Sequence, residues 1–226
     1  MYQLFIANKN YSSWSLRPWI LMQQLSIPFS EKLQQFQADN YDNFRQFSPT
    51  AKVPCLHDGD TVIWESLAIV EYLAERHVGV WPADPQARNY ARCAASEMHA
   101  GFSQLRNICT MNCGARVQLH NPPAALATEL ARLDELWQQG LNQFGGPFLA
   151  GTAFTAVDAF FAPVAFRVQS FDLTLSANSM TYVKQLLALP AMQDWYNAAL
   201  LESWREPGHE AEMGLYGSIV KDYRQN

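Results

Sequence analysis

Ten residues, VGVWPADPQA at 78–87, divide this chain into two stretches with different periodicities. Two prolines and a glycine interrupt any regular element that would run through the segment. Before it, short apolar runs alternate with helical patterns. YQLFIA (2–7) reads as a buried strand, WSLRPWILMQQL (14–25) as a helix with Pro18 in its first turn, and FSEKLQQF (29–36) as a second strand. A β-α-β opening favours a parallel pair joined by a right-handed crossover. NYDNFRQF (40–47) reads as a short helix, and SPTAKVPCLHDGDTVIWES supplies two antiparallel strands turning at Asp58–Asp60. ESLAIVEYLAERH is an amphipathic helix with Leu67, Ile69, Val70 and Leu73 available for burial. The order β-α-β-α-β-β-α predicts a small α/β domain over 1–79. Residues 80–86 read as a linker, and 87–226, where no strand pattern is evident, as an all-helical domain.

Composition narrows the function. Sixteen basic against 21 acidic residues give a net charge of −5 over 226 residues, with no Lys/Arg cluster. A nucleic-acid partner needs a basic footprint and is not expected. No window reaches the roughly 18 to 20 apolar residues of a membrane span, and MYQLFIANKNYSS has no basic segment leading into an apolar run. The cytoplasm is the expected compartment, with no membrane partner. Cys55, Cys93, Cys109 and Cys113 show no metal-site spacing, nor do any paired histidines among His57, His77, His99, His120 and His209. Free thiols and no metal are expected, with Cys109 and Cys113 sharing a helical face.

Three motifs stand at element junctions. Val53-Pro54 precedes a strand: a trans proline there is the ordinary reading, and a cis proline would turn the Val53 backbone toward a peptide-like ligand. Glu65-Ser66 lies between a strand and a helix, where Ser66 serves as a cap or, at an anion-binding helix start, meets a carboxylate while Glu65 meets an ammonium. Thr155-Ala-Val-Asp158 has the form of a capping box and reads as a folding element. The richest cluster is NYSSWSLRPW (10–19). Ser15 suffices to cap a helix beginning at Leu16, which leaves Ser12 and Ser13 unexplained. No histidine stands beside them and no G-x-S-x-G elbow is present, so a hydrolytic triad is unsupported. A serine without a base still donates a hydrogen bond, and against sulfur it stabilises a thiolate.

Together these residues resemble the glutathione transferase superfamily. KVPCL followed by WESLAIVEYLAE is similar to its glutathione-binding stretch, FTAVDAFFAPV to the capping box of its helical domain, and SSWSLRPW to its serine-type classes, nearest the zeta pattern. The resemblance implies a thioredoxin-like first domain, an all-α second domain, glutathione as co-substrate, a small apolar electrophile and a homodimer. On the zeta pattern Ser12 takes the place of the catalytic serine, Ser13 its neighbour and Arg17 the arginine, while Trp14 replaces a cysteine and Leu16 a tryptophan. Val53, with Pro54, would hold the cysteinyl backbone of glutathione, Glu65 and Ser66 its γ-glutamyl head, and Lys52 its glycine carboxylate. The electrophile would lie near Trp14, Met98, His99, Phe102 and Arg106, although Met98 and Phe102 also have core-helix spacing. Alternatives are a zeta-like isomerase, a non-catalytic glutathione- or ligand-binding protein of the same fold, and a disulfide reductase using Cys55.

Overall fold

The computed structural model describes residues 1–37 and 39–224; Ala38, Gln225 and Asn226, the last two within the expected helical stretch, lie outside the described residues. The first stretch forms β1 (Tyr2–Ala7), α1 (Ser13–Gln24), β2 (Phe29–Gln34), α2 (Tyr41–Arg45), β3 (Cys55–Asp58), β4 (Thr61–Trp64) and α3 (Ser66–Ala74). The sheet order is β2-β1-β3-β4, with β1 parallel to β2 and antiparallel to β3. β3 and β4 form a hairpin whose turn places Gly59 at a φ of 57°, a left-handed position that glycine adopts without a Cβ clash. Leu4, Ile6, Leu56 and the α1 residues Leu16 and Ile20 are fully buried, so α1 and α3 share one apolar layer against the sheet.

The helix α1 starts three residues earlier than expected, at Ser13 rather than Leu16. Ser12 occupies the cap position without a side-chain capping bond, and Ser15 lies inside the helix, fully buried. Pro18 consequently falls in the second turn, where its missing N–H leaves the Trp14 carbonyl without an i+4 donor.

The remaining chain forms α4 (Pro85–Ala100), α5 (Ser103–Ile108), β5 (Ala115–Leu119), α6 (Ala124–Phe144), α7 (Ala156–Phe171), α8 (Ala177–Ala188), α9 (Pro190–Leu201), α10 (Pro207–Met213) and β6 (Gly217–Asp222). The Asp84 side chain caps α4 by accepting from Ala87 N at 2.8 Å. The helical pattern that runs through residues 87–112 is broken at Gly101-Phe102, where Phe102 turns left-handed at a φ of 53°. Cys109 therefore ends α5 and Cys113 lies in a loop, so the two thiols do not share a helical face.

The second correction is a two-stranded antiparallel sheet, β5 with β6, where no strand was expected. ARVQL buries Ala115 and Val117 and turns Gln118 outward, a period-2 pattern too short to stand out among helices. α7 carries the core: all its residues but Gln169 are buried, and it packs on α1, α4 and α8. The Thr155–Asp158 capping box is present as expected. Asp158 also accepts from Leu149 N at 3.0 Å and from the Tyr182 hydroxyl at 2.9 Å.

Candidate active site

The serine turn follows β1 and is held from a distant part of the chain. The Glu202 carboxylate accepts from Lys9 N at 2.6 Å and Asn10 N at 3.3 Å, while Trp195 Nε1 donates to the Lys9 carbonyl at 2.9 Å. Ser12 N and Tyr11 N both bond to the Asn8 carbonyl, closing the turn into α1. The two hydroxyls beyond it have different partners. Ser12 Oγ donates to Ser15 Oγ at 2.6 Å, and Ser15 Oγ accepts in turn from Ala7 N at 3.3 Å. Ser13 Oγ is instead an acceptor, from Arg167 Nη2 at 3.3 Å. The Ser12 proton is directed into the protein, whereas the Ser13 proton is left to donate elsewhere.

Two adjoining cavities open beside these hydroxyls. The larger, about 370 Å³, is bounded by Ser12, Ser13, Trp14, Arg106 and Arg167 among others. The smaller, about 190 Å³, is bounded by Thr50, Lys52, Pro54 and Glu65. Trp14, Lys52 and Val53 border both. The Val53–Pro54 peptide is cis. Glu65 sits left-handed at a φ of 69°, a conformation costly for a residue with a Cβ. Glu65, not Ser66, occupies the cap position of α3. Ser66 begins the helix, fully buried, with its hydroxyl lacking any partner. An orphaned buried hydroxyl costs about 1–3 kcal/mol, and its place at a helix start beside a strained acid marks it for a ligand group.

Two arginines, Arg106 and Arg167, border the larger cavity, and a third, Arg17, stacks on the Trp14 ring beside it. Arg17 is wholly buried, its guanidinium 3.9 Å from the Trp14 ring centroid and 4.8 Å from that of Phe160, with Nε and Nη1 unpartnered. Burial, then the charges of Arg106 and Arg167, push its pKa well below the usual value, and Glu65 alone opposes the shift. Arg167 donates to the carbonyls of Arg106 and Cys109 as well as to Ser13, and burial lowers it to about 10. Arg106 approaches Trp14 at 5.3 Å and leaves Nε unpartnered. Buried cations with unused donors and little counter-charge suit an anionic ligand.

Several expected electrophile residues lie elsewhere. Met98, on the inward face of α4, and Phe102, at the left-handed cap of α5, are buried in the core, and neither borders either cavity. His99 borders neither cavity; it meets Trp14 edge-on at 5.3 Å and packs toward Phe160, and burial followed by the charge of Arg17 lowers its pKa. Conversely, Tyr11, Arg167, His209 and Glu212 border the larger cavity and had not been singled out for the site. Arg167 left one signal: it is the only basic residue in the apolar helix AVDAFFAPVAFRVQSF. Tyr11 does not serve as a thiol donor, because its hydroxyl donates to Glu210 Oε1 at 2.5 Å. The cysteines offer no alternative nucleophile at this site. Burial pushes the Cys55 thiol up to about 11 and Cys109 to about 12, and Cys113 higher still. Cys93 lies exposed on α4. No group of three or more His, Cys, Asp or Glu among the described residues is placed to hold a metal, and none of the described helices is long and apolar enough to cross a membrane.

Residues 11–76 match the family described as glutathione S-transferase, N-terminal domain. A probable maleylacetoacetate isomerase from Caenorhabditis elegans is 26% identical over 73% of this chain and 77% of its own length. Mouse glutathione S-transferase theta-3 is 30% identical over 62% of each chain. Among solved structures, a glutathione transferase homolog from Burkholderia with bound glutathione superposes at a TM-score of 0.65. It is 19% identical, over 88% of this chain and 97% of that one. A four-stranded mixed sheet carrying a cis proline, a serine turn beside the larger cavity and these relatives agree: residues 11–76 belong to the glutathione S-transferase N-terminal domain family, and the chain as a whole resembles glutathione transferases, with maleylacetoacetate isomerases among its relatives.

Proposed function

We propose that this protein activates the thiol of glutathione with Ser13 and directs it at a small electrophile carrying an anionic group. The observation that carries the reading is the asymmetry of the serine pair: Ser13 Oγ accepts from Arg167, so its proton is available to sulfur, while the Ser12 proton is held by Ser15. Ser12 then sets the turn that positions Ser13. Glutathione would take the smaller cavity, with Val53 and Pro54 at its cysteinyl backbone, Glu65 and Ser66 at its γ-glutamyl head and Lys52 at its glycine carboxylate. The unpartnered Ser66 hydroxyl and the strained Glu65 support that placement.

Arg106 and Arg167 border the larger cavity beside Trp14, Phe36 and Met111, so an apolar body with a carboxylate fits better than a wholly apolar molecule. The same arginines favour a second reading, the glutathione-dependent isomerisation of an unsaturated acid, the class of activity printed for the C. elegans relative. Thiolate addition would turn the double bond into a single bond, rotation and elimination would follow, and no net transfer would result. In either case the fixed donors and the bound sulfur lower the barrier by position and electrostatics. A cytoplasmic homodimer accompanies the proposal. Calorimetry with glutathione, then turnover of the neutral enone benzylideneacetone and the carboxylate-bearing enone benzoylacrylate, tests it. Binding with turnover of the carboxylated compound at least tenfold above the neutral one supports the reading, while binding without turnover across a broad electrophile panel supports a ligand-binding protein instead.

A further inference from the structure

α10 brings a histidine to the larger cavity that the serine and arginine chemistry does not use. His209 Nδ1 lies 2.7 Å from Glu206 Oε2, and the same oxygen accepts from His209 N at 2.7 Å. The imidazole is stacked between two rings, Tyr11 at 5.0 Å and 21°, and Phe36 at 4.9 Å and 26°. Although burial opposes it, hydrogen bonds from the His209 and Gly208 N–H groups hold the Glu206 carboxyl below its ordinary value. An anionic Glu206 fixes the proton on Nδ1 and leaves the lone pair on Nε2. Nε2 has no hydrogen-bond partner among the described residues, and His209 borders the cavity that also holds Ser12 and Ser13.

The chemistry has a vacancy for such a group. Ser13 stabilises a thiolate but cannot take the proton that the thiol loses. Arg106, Arg167 and a protonated Lys52 have no lone pair to offer, and the Tyr11 hydroxyl is directed at Glu210. Glu212 borders the cavity too, but a carboxylate is a weaker base than an imidazole and the poorer acceptor of a thiol proton.

We propose that His209 is the proton carrier of the reaction, oriented by Glu206. As sulfur bonds to the β-carbon of a conjugated carbonyl compound, the S–H proton passes to Nε2 and the carbon–carbon π pair moves to the carbonyl oxygen as an enolate. The imidazolium then protonates the α-carbon as that electron pair returns. The net change is addition of S and H across the double bond, with no oxidant or reductant. The charged and titratable groups beside His209 are Glu206, bonded to it, and Tyr11, stacked on it and joined to Glu210 and Arg224, while Glu212 borders the same cavity. Arg106, Arg167 and Lys52 face the same cavity.

The inference rests on the proposed glutathione chemistry, and its test separates the two. His209→Gln keeps a planar group beside Glu206 but carries no proton, and His209→Ala leaves room for added imidazole. With benzoylacrylate, His209→Gln should lower kcat about 100-fold, the lower end of what general acid–base groups contribute. Glutathione Kd by calorimetry and the thermal melt should stay within twofold and a few degrees of wild type. Imidazole should restore His209→Ala at least tenfold, and Glu206→Gln should lower kcat about tenfold with KM within twofold of wild type. A kcat within threefold of wild type, no rescue by imidazole or a rise in KM alone overturns the role of His209 while leaving the proposed function standing. Failure of the wild-type protein to bind glutathione overturns both.

Discussion

Ser13→Ala is the sharpest test of how the thiol is activated. In the structure Ser13 Oγ takes its hydrogen bond from Arg167 Nη2 at 3.3 Å, so its own proton is left to donate to a bound thiolate. A hydrogen bond to a charged group contributes roughly 1.5–3 kcal/mol. At about 1.4 kcal/mol per unit, removing it raises the pKa of bound glutathione by about 1 to 2 units. The thiolate fraction at a pH below both midpoints then falls about 10- to 100-fold. A thiolate of higher pKa is a better nucleophile, with a Brønsted slope of about 0.4–0.5, so turnover falls only about 3- to 10-fold. Above both midpoints the variant should turn over faster than wild type, and the two pH–rate curves should cross. Thiolate absorbance in the near ultraviolet, titrated with glutathione bound, gives the midpoint directly. Ser12→Ala removes a neutral bond to Ser15 and should move that midpoint by less than about half a unit. A larger shift for Ser12→Ala than for Ser13→Ala, or curves that never cross, would refute the assignment.

Other perturbations follow from the same geometry. Asp158→Ala leaves Leu149 N, Thr155 N and the Tyr182 hydroxyl without an acceptor, a loss of roughly 3–6 kcal/mol in acid, read by denaturant unfolding. Burial holds the Asp158 carboxyl up at about 6, so its share of wild-type stability is complete below the ordinary carboxylate range and drains away as pH rises through about 6. The gap between wild type and Asp158→Ala should therefore narrow by about 3 kcal/mol from about pH 4 to pH 7, and a gap that widens contradicts this. Tyr11→Phe removes the bond to Glu210 and should lower stability by about 1.5–3 kcal/mol without moving the bound-thiol midpoint; a shifted midpoint would make Tyr11 the activating group. Arg106→Ala should raise KM for benzoylacrylate about tenfold while leaving benzylideneacetone unchanged, as befits a lost charge-assisted contact. Equal effects on both compounds would show that Arg106 only shapes the wall.

What the sequence made legible is local. β1, α1 and β2 follow from apolar runs and helical spacing within 36 residues, and the hairpin from Asp58-Gly59-Asp60. Val53, Pro54 and Glu65, which stand out in the sequence at element junctions, border the smaller cavity. What stayed hidden depends on partners far along the chain. The difference between Ser12 and Ser13 is set by Arg167, 154 residues away, and no reading of SSWS contains it. β5 and β6 pair across roughly a hundred residues, and β6 is largely exposed, so neither shows the amphipathic pattern that betrays a longer strand. Met98 and Phe102 illustrate the opposite failure: a helical stripe meets a core and a cleft with the same residue types, and packing alone separates them.

The anchoring of Tyr11 reaches beyond catalysis. Glu210 and Arg224, 199 and 213 residues further on, bond to the tyrosine that precedes the serine pair, and Arg224 also holds Asp222 in β6. Contacts of such separation close the longest loops in the chain and form late in folding. On the ribosome the sheet and serine turn emerge first, but the wall of the larger cavity waits for residues past 200. Partly made chains would thus present an open groove until the segment from α10 to β6 has reached the serine turn.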